Sequence, residues 1–332
     1  MPLRFSFSAT ALTLALILSG CGSTPVASTA SPESHAGGTK YPLTVENCGE
    51  EVIFDQAPQR VILLESASVT ILEGLGVLDR VVTRAGSFPG GYYDSDLTAR
   101  LDDIEMLSED IDTSGHLVIS AEVVLAQAPD LVLGLPEGLT REGLHDGGAN
   151  TLIQPVFCPN GVENPSFESL YDQIRMYGRI FDRYDQAEQL VSSLAQRVAE
   201  VKIATADAPK RTAAVLYPSV GGGPLYAYGR ASMSQPQLEA AGLTNVFGDS
   251  SERVFEVNIE ELINRNPEVL IVLHQGNQTG ALEEIKNHPG AGALHALRDG
   301  EVLLQLFNFT EPPTPLSVDG LERIVDRFAT GS

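Results

Sequence analysis

Positive charge is scarce in this chain of 332 residues: 21 Lys and Arg stand against 44 Asp and Glu, a formal net charge of −23 at pH 7. A nucleic-acid surface needs a basic stripe to neutralise phosphates, and none is visible, so nucleic acid is excluded as a partner. The acidity serves solubility instead. Tryptophan is absent. Enzyme motifs are missing too: no Gly-x-Ser-x-Gly elbow, no His-Glu-x-x-His helix, no P-loop, and no Gly-x-Gly-x-x-Gly after a strand. Gly221-Gly222-Gly223 suggests a phosphate cradle, but Pro224 follows and no helix starts there, so a tight turn between strands is expected. The six His residues include none at i, i+4 spacing. Neither an enzyme, a metal site nor a resident cofactor is expected.

Long apolar runs are lacking after the first twenty residues, so nothing later is expected to span a bilayer. The exception sits at the start. Arg4 precedes an apolar run from Phe5 to Leu18 relieved only by Ser and Thr, too short for a comfortable span and suited to a signal peptide. It ends in Leu18-Ser19-Gly20-Cys21, which resembles the lipobox cleaved before a lipidated Cys; an ordinary signal peptide with a chance Cys is the alternative. Residues 1–20 are then leader and 21–40 a flexible tether, because Gly22 to Lys40 is too poor in large apolar groups to offset its ordering entropy. The mature chain is expected outside the cytoplasm, anchored to the cell membrane through Cys21.

Cysteine is nearly as scarce, at three residues. With Cys21 lipidated, Cys48 and Cys158 remain, and an exported compartment permits a disulfide. Their pairing would close a loop of about 110 residues, valued at roughly 4–5 kcal/mol by chain entropy. Two buried free thiols are the alternative.

What is present is an alternation of strand and helix. Val61–Leu64, Val81–Thr83, Leu131–Leu133 and Leu152-Ile153 with Val156-Phe157 read as buried strands, with Val69–Leu75 and Ala121–Ala128 as helices between them. A helical tract follows Pro165: Leu170, Ile174, Tyr177 and Phe181 share one face. Asp185 and Glu188 have capping-box spacing for a second helix, from Gln186 to Thr205. The alternation restarts with strands at Ala213–Leu216, Val269–Leu273 and Val302–Leu304, and helices at Ser234–Ala241, Ile259–Asn264 and Leu316–Phe328. The fold class is α/β, as two lobes (41–165 and 209–332) joined by a long helical connection (166–208).

Two features recur in order in both lobes. Leu72-Glu73-x-x-Gly76 answers Leu238-Glu239-x-x-Gly242, and Ala121-Glu122 seven residues before Pro129 answers Ile259-Glu260 seven before Pro267. Such an echo points to structurally related lobes.

These residues carry a resemblance. Tyr41-Pro-Leu-Thr-Val-Glu-Asn-Cys-Gly49, Ala57-Pro58-x-Arg60-Val61, Leu75-Gly76-x-x-Asp79-Arg80-Val81, Ala128-Pro129-Asp130-Leu-Val-Leu-Gly134, Ala241-Gly242-x-x-Asn245-Val246 and Asn266-Pro267-Glu268-Val resemble the class III periplasmic binding proteins. The resemblance runs from about Tyr41 to Phe328. It implies two Rossmann-like lobes facing each other across a ligand cleft and one long helix spanning both. It also implies a monomeric solute-binding lipoprotein that feeds an ABC permease and, through it, an ATPase. The ligand would be a ferric siderophore, with haem or cobalamin as the alternatives. Glu122 and Glu260 match the glutamates that dock such proteins on the permease, although acids are favoured at helix starts for their own sake.

Ligands of open α/β sheets sit beyond the carboxyl ends of the strands. That rule nominates Glu65, Ser66, Arg84, the loop from Phe88 through Tyr92 and Tyr93, Tyr217, Tyr226, Tyr228, Arg230, His274, Gln275 and Phe307 to Phe309. Arg84 and Arg230 are expected to meet an anionic face of the ligand, and Tyr92 and Tyr228 to pack on it. Haem would instead take His116, His274 or a Tyr as axial ligand.

Overall fold

The computed structural model describes residues 38–111 and 117–328; the leader, Cys21, most of the tether and His116 lie outside the described residues. An antiparallel hairpin of β1 (Leu43–Asn47) and β2 (Glu50–Phe54) opens the chain. It leads into β3 (Val61–Leu63), α1 (Val69–Gly74), β4 (Val81–Ala85), α2 (Ser95–Asp102), β5 (Glu105–Ser108), α3 (Ala121–Leu125), β6 (Leu131–Leu133), α4 (Arg141–Asp146) and β7 (Asn150–Leu152). Their five-stranded sheet has the order β5-β4-β3-β6-β7 and is parallel throughout. β3 and β6 are wholly apolar because both faces of such a sheet are covered.

Val156 and Phe157 are not strand, as the apolar pattern predicts. They lie in a single 3-10 turn, Pro155–Phe157, begun by a proline that has no N–H for a ladder. Next come α5 (Phe167–Ile180), closed at its start by a Ser166–Ser169 capping box, and α6 (Tyr184–Thr205). At 22 residues α6 is about 33 Å long. The predicted Asp185–Glu188 box does not form. The helix starts earlier, so Asp185 lies inside its first turn, while Glu188 pairs with Arg175 of α5 at 2.9 Å.

The second half comprises β8 (Arg211–Pro218), β9 (Leu225–Tyr228), α7 (Ser234–Ala240), β10 (Leu243–Asn245), β11 (Val254–Glu256), α8 (Ile259–Arg265), β12 (Val269–His274), α9 (Gln278–Asn287), α10 (His295–Arg298), β13 (Val302–Leu306) and α11 (Pro315–Phe328). The sheet runs β11-β9-β8-β12-β13, with β10 beside β8. The triple glycine forms the turn of the antiparallel β8–β9 hairpin. The echoed glycines are alike in space: Gly76 and Gly242 follow α1 and α7 with φ of 66° and 74°, where a side chain would be strained.

One apolar cluster unites the inner faces of both sheets. Leu63 and Leu133 of one sheet and Val215 and Ile271 of the other pack on Leu72 of α1, Ile174 of α5, Leu194 of α6 and Leu321 of α11. Arg197 ties α6 to Asp319 and Glu322 of α11, at 2.5 Å each. Gly320 of α11 lies so close to the turn Phe307–Phe309 that a Cβ would overlap the carbonyl oxygen of Phe309. Two Rossmann-like lobes are thus joined through packed helices rather than a loose linker.

Candidate functional site

The carboxyl ends of the two sets of parallel strands meet at a seam between the lobes. On the first lobe, the chain leaving β3 turns at Glu65, whose carboxylate is recessed into the turn. It accepts the N–H groups of Ala67 (2.9 Å) and Ser68 (3.2 Å), the Ser68 hydroxyl (2.5 Å) and Gln154 Nε2 (3.3 Å). Burial holds its pKa above the usual carboxylate range despite those hydrogen bonds. The turn presents Ser66 to the other lobe, where its Oγ accepts Asn308 Nδ2 at 3.0 Å. The Tyr93 hydroxyl donates to the Ser66 carbonyl at 3.2 Å, and the Tyr92 hydroxyl accepts the Asn308 N–H at 3.0 Å. The Tyr92 ring meets Phe309 edge-on at 5.6 Å. Tyr92, Tyr93 and Phe309 therefore come together, with Tyr92 and Phe309 buried in the seam itself.

On the second lobe, Tyr217 stands directly opposite Tyr226, and Tyr228 is two residues on, so all three share one sheet face. Tyr217 meets Phe307 edge-on at 5.9 Å, and Tyr228 is buried. Burial raises the pKa of Tyr92, Tyr93, Tyr217 and Tyr228 above the ordinary phenol value, so all four stay neutral near pH 7.

Arg84 is engaged within its own lobe: Nε donates to the Ile104 carbonyl (3.3 Å), one Nη lies 3.4 Å from Asp102, and the guanidinium sits 5.2 Å from the Phe88 ring. The cause is an irregularity between β3 and β4 that sets Arg84 beside Leu63 on the inner face. His274 shares the face of β12 that Leu270 and Val272 present to the outer helices, opposite to the face carrying Tyr217. Its Nδ1 accepts the Gly276 N–H at 3.1 Å, and burial keeps it neutral by lowering its pKa. Arg230 is exposed, with one Nη donating to the Asp249 carbonyl at 3.2 Å.

Sequence reading missed a cluster on the same seam. The Arg253 guanidinium lies 5.4 Å over the ring of Phe157, which belongs to the first lobe and is 45% exposed. Behind Arg253, at 3.9 Å, is Glu311, fully buried, with Oε1 accepting the Met233 N–H at 2.8 Å. No local pattern marks either residue, because they meet only through the fold. Phe157 is anchored by its neighbour: Cys158 is bonded to Cys48 in the β1–β2 turn, with S–S 1.97 Å and Cα–Cα 5.1 Å.

Glu122 and Glu260 are both exposed, each in the first turn of the helix leading into a central strand (α3 into β6, α8 into β12). A hydrogen bond from Ser120 holds the Glu122 carboxyl below its usual pKa. No helix among the described residues is long and apolar enough to cross a membrane.

Residues 61–304 match the family described as periplasmic binding protein. The chain belongs to that family. A solved structure from Saccharomonospora viridis, described as an ABC-type Fe3+-hydroxamate transport system, is 56% identical with a TM-score of 0.83, covering 88% of this chain and 100% of that one. YvrC of Bacillus subtilis, an uncharacterized ABC transporter substrate-binding lipoprotein, is 21% identical over 98% of this chain and 97% of its own. The vitamin B12-binding protein of Salmonella typhi is 24% identical over 50% of this chain and 59% of its own. This chain is therefore the extracytoplasmic substrate-binding protein of an ABC transporter, and not an enzyme.

Proposed function

We propose that this binding protein captures a ferric siderophore of the hydroxamate class and delivers it to an ABC permease. The observation that carries the reading is the 56% identity to the Saccharomonospora viridis protein across its whole length. The chemistry of the cleft supports it. The phenols of Tyr93 and Tyr217, neutral at pH 7, are available to hydrogen-bond a chelate's oxygens. The second lobe supplies Arg230 and Arg253, whose guanidinium N–H groups can donate to the oxygens of the chelate. Tyr93, Tyr217 and Tyr226 add rigid aromatic area at little rotamer cost, with Tyr92, Tyr228 and Phe309 buried behind them.

The remaining assignments belong to the same proposal. The lobes are 41–165 and 209–332 with 166–208 between them, Glu122 and Glu260 dock the two permease subunits, and a lipid on Cys21 anchors the tether. With no Trp in the chain, tyrosine fluorescence reports ligand directly. A ferric hydroxamate should quench it with micromolar or tighter affinity. Failure of hydroxamate, catecholate and citrate complexes alike, while haem or cobalamin binds tightly, overturns the siderophore assignment.

A further inference from the structure

We propose that Asn308 is a positioning residue that latches the second lobe to the first across the seam in the ligand-free protein, and so sets the cleft before solute arrives. The latch rests on no particular ligand; the siderophore reading supplies only a probe for testing it. Asn308 is 6% exposed and reaches the facing lobe twice. Its N–H donates to the Tyr92 hydroxyl and its Nδ2 to Ser66 Oγ, each at 3.0 Å. Those two acceptors stand on separate segments of the first lobe, the turn after β3 and the loop before α2. One residue thus fastens both segments to the turn Phe307–Phe309. Beside it, Gly91 comes so near Leu306 that a Cβ would lie 2.9 Å from Cδ1, and Tyr92 meets Phe309 edge-on.

Both halves of the latch are braced from behind. On the second lobe, the Phe309 carbonyl accepts Gln237 Nε2 of α7 at 2.6 Å, and Gln305 Nε2 donates to Thr310 Oγ1 at 2.9 Å. Gly320 lets α11 close against the same turn. On the first lobe, Ser66 leads the turn whose Ala67 and Ser68 N–H groups are held by the recessed Glu65 carboxylate. Gln154 Nε2 donates to Ser68 Oγ at 3.0 Å, and Gln154 Oε1 accepts Gln173 Nε2 of α5 at 2.6 Å, so the bracing continues into the helices between the lobes. A donor and an acceptor already fixed on formed turns lose little entropy in pairing, which favours the latched arrangement.

The connecting helices fasten the lobes at the opposite end of the strands. Phe181, in the turn from α5 to α6, packs under Arg80 just before β4. At the far end of α6, Thr205 Oγ1 donates to the Ala240 carbonyl at 2.8 Å, just before β10. Lobes joined only at these amino ends could swing apart at the carboxyl ends, where solutes of such sheets bind. Asn308 joins them there as well. It is too buried to be a main solute contact, so it acts on affinity through the residues it holds in place.

Hydrogen exchange on the full mature protein tests the latch without any ligand. The Asn308 amide should be protected in the wild type. Ser66→Ala leaves that amide its acceptor, yet should speed its exchange about 2- to 12-fold, the worth of one lost hydrogen bond. Tyr92→Phe, which removes the acceptor itself, should speed it more. A saturating ferric hydroxamate should restore protection in Ser66→Ala. Affinity for that chelate, followed by tyrosine fluorescence, should fall by a similar factor in Ser66→Ala and in Asn308→Ala. The double variant should bind no more weakly than either single, because the same bond is lost in all three. Losses that multiply in the double variant would show two separate solute contacts, and wild-type affinity in both singles would show that the cleft needs no latch; either result overturns the inference. So does an Asn308 amide that exchanges as freely in the wild type as in Ser66→Ala. If no ferric hydroxamate binds, the siderophore reading falls, and the exchange comparison alone decides the latch.

Discussion

Glu311 makes the folded state sensitive to pH independently of any ligand. An exposed glutamate titrates at 4.5, and burial pushes the Glu311 carboxyl up to about 7 in the folded protein. Between those values the native state holds a proton that the unfolded chain has released, so stability falls as pH rises from about 5 to 7 and levels off above. That displacement is worth about 3 kcal/mol. Glu311→Gln cannot titrate. Its amide adds an unpaired buried donor at a cost of about 1–3 kcal/mol, but that cost is the same at every pH. The stability of the variant relative to wild type should therefore improve by about 3 kcal/mol between pH 5 and pH 8, or roughly 6 °C in relative melting temperature. Glu65 is raised in the same direction, so the wild type carries a further decline that the variant shares. Thermal melts of both proteins at half-unit pH steps measure the difference. Parallel curves from pH 5 to 8 would refute the placement of a fully buried carboxyl behind Arg253.

Three further outcomes are expected. Peptide mapping of the exported protein without reductant should recover Cys48 joined to Cys158. Replacing both by Ser should cost up to roughly 4–5 kcal/mol with ligand preference unchanged, and two freely alkylated thiols count against the bridge. Glu122→Ala combined with Glu260→Ala should cut transport in cells while solute affinity stays at the wild-type value; exposed ion pairs are individually weak, so single changes should do little, and normal uptake by the double variant removes the docking assignment. Gly320→Ala forces α11 away from the Phe309 carbonyl and should destabilise the protein by about 1–3 kcal/mol while weakening ligand binding; an unchanged melting temperature argues against that packing.

The central strands were legible because burial on both faces writes itself as an unbroken apolar run, as in Val61–Leu63, Leu131–Leu133 and Val269–Leu273. The hairpin β1–β2 left a fainter trace, with only Val45, Asn47, Val52 and Phe54 turned inward. Short β10 and β11 present too few buried residues to show a period. The echo around Glu122 and Glu260 survives as two matching helices because each leads into a central strand. The cleft was harder to read. The carboxyl-end rule nominated Ser66, Tyr93 and Tyr217, which lie along the seam, but the direction of Arg84 depends on a register shift that no local pattern encodes. His274 ends its strand on the face it shares with Leu270 and Val272, which the rule does not specify. Arg253, Glu311 and Phe157 come from three distant segments, and only tertiary packing makes them neighbours.

Native mass spectrometry of the protein purified from its own host under iron limitation tests the central claim most directly, because a retained ligand is weighed without being chosen in advance. A complex heavier than the apoprotein by one iron-loaded hydroxamate chelate, lost on reduction of the iron, is the predicted result. A retained mass equal to haem or to a cobalamin would contradict it.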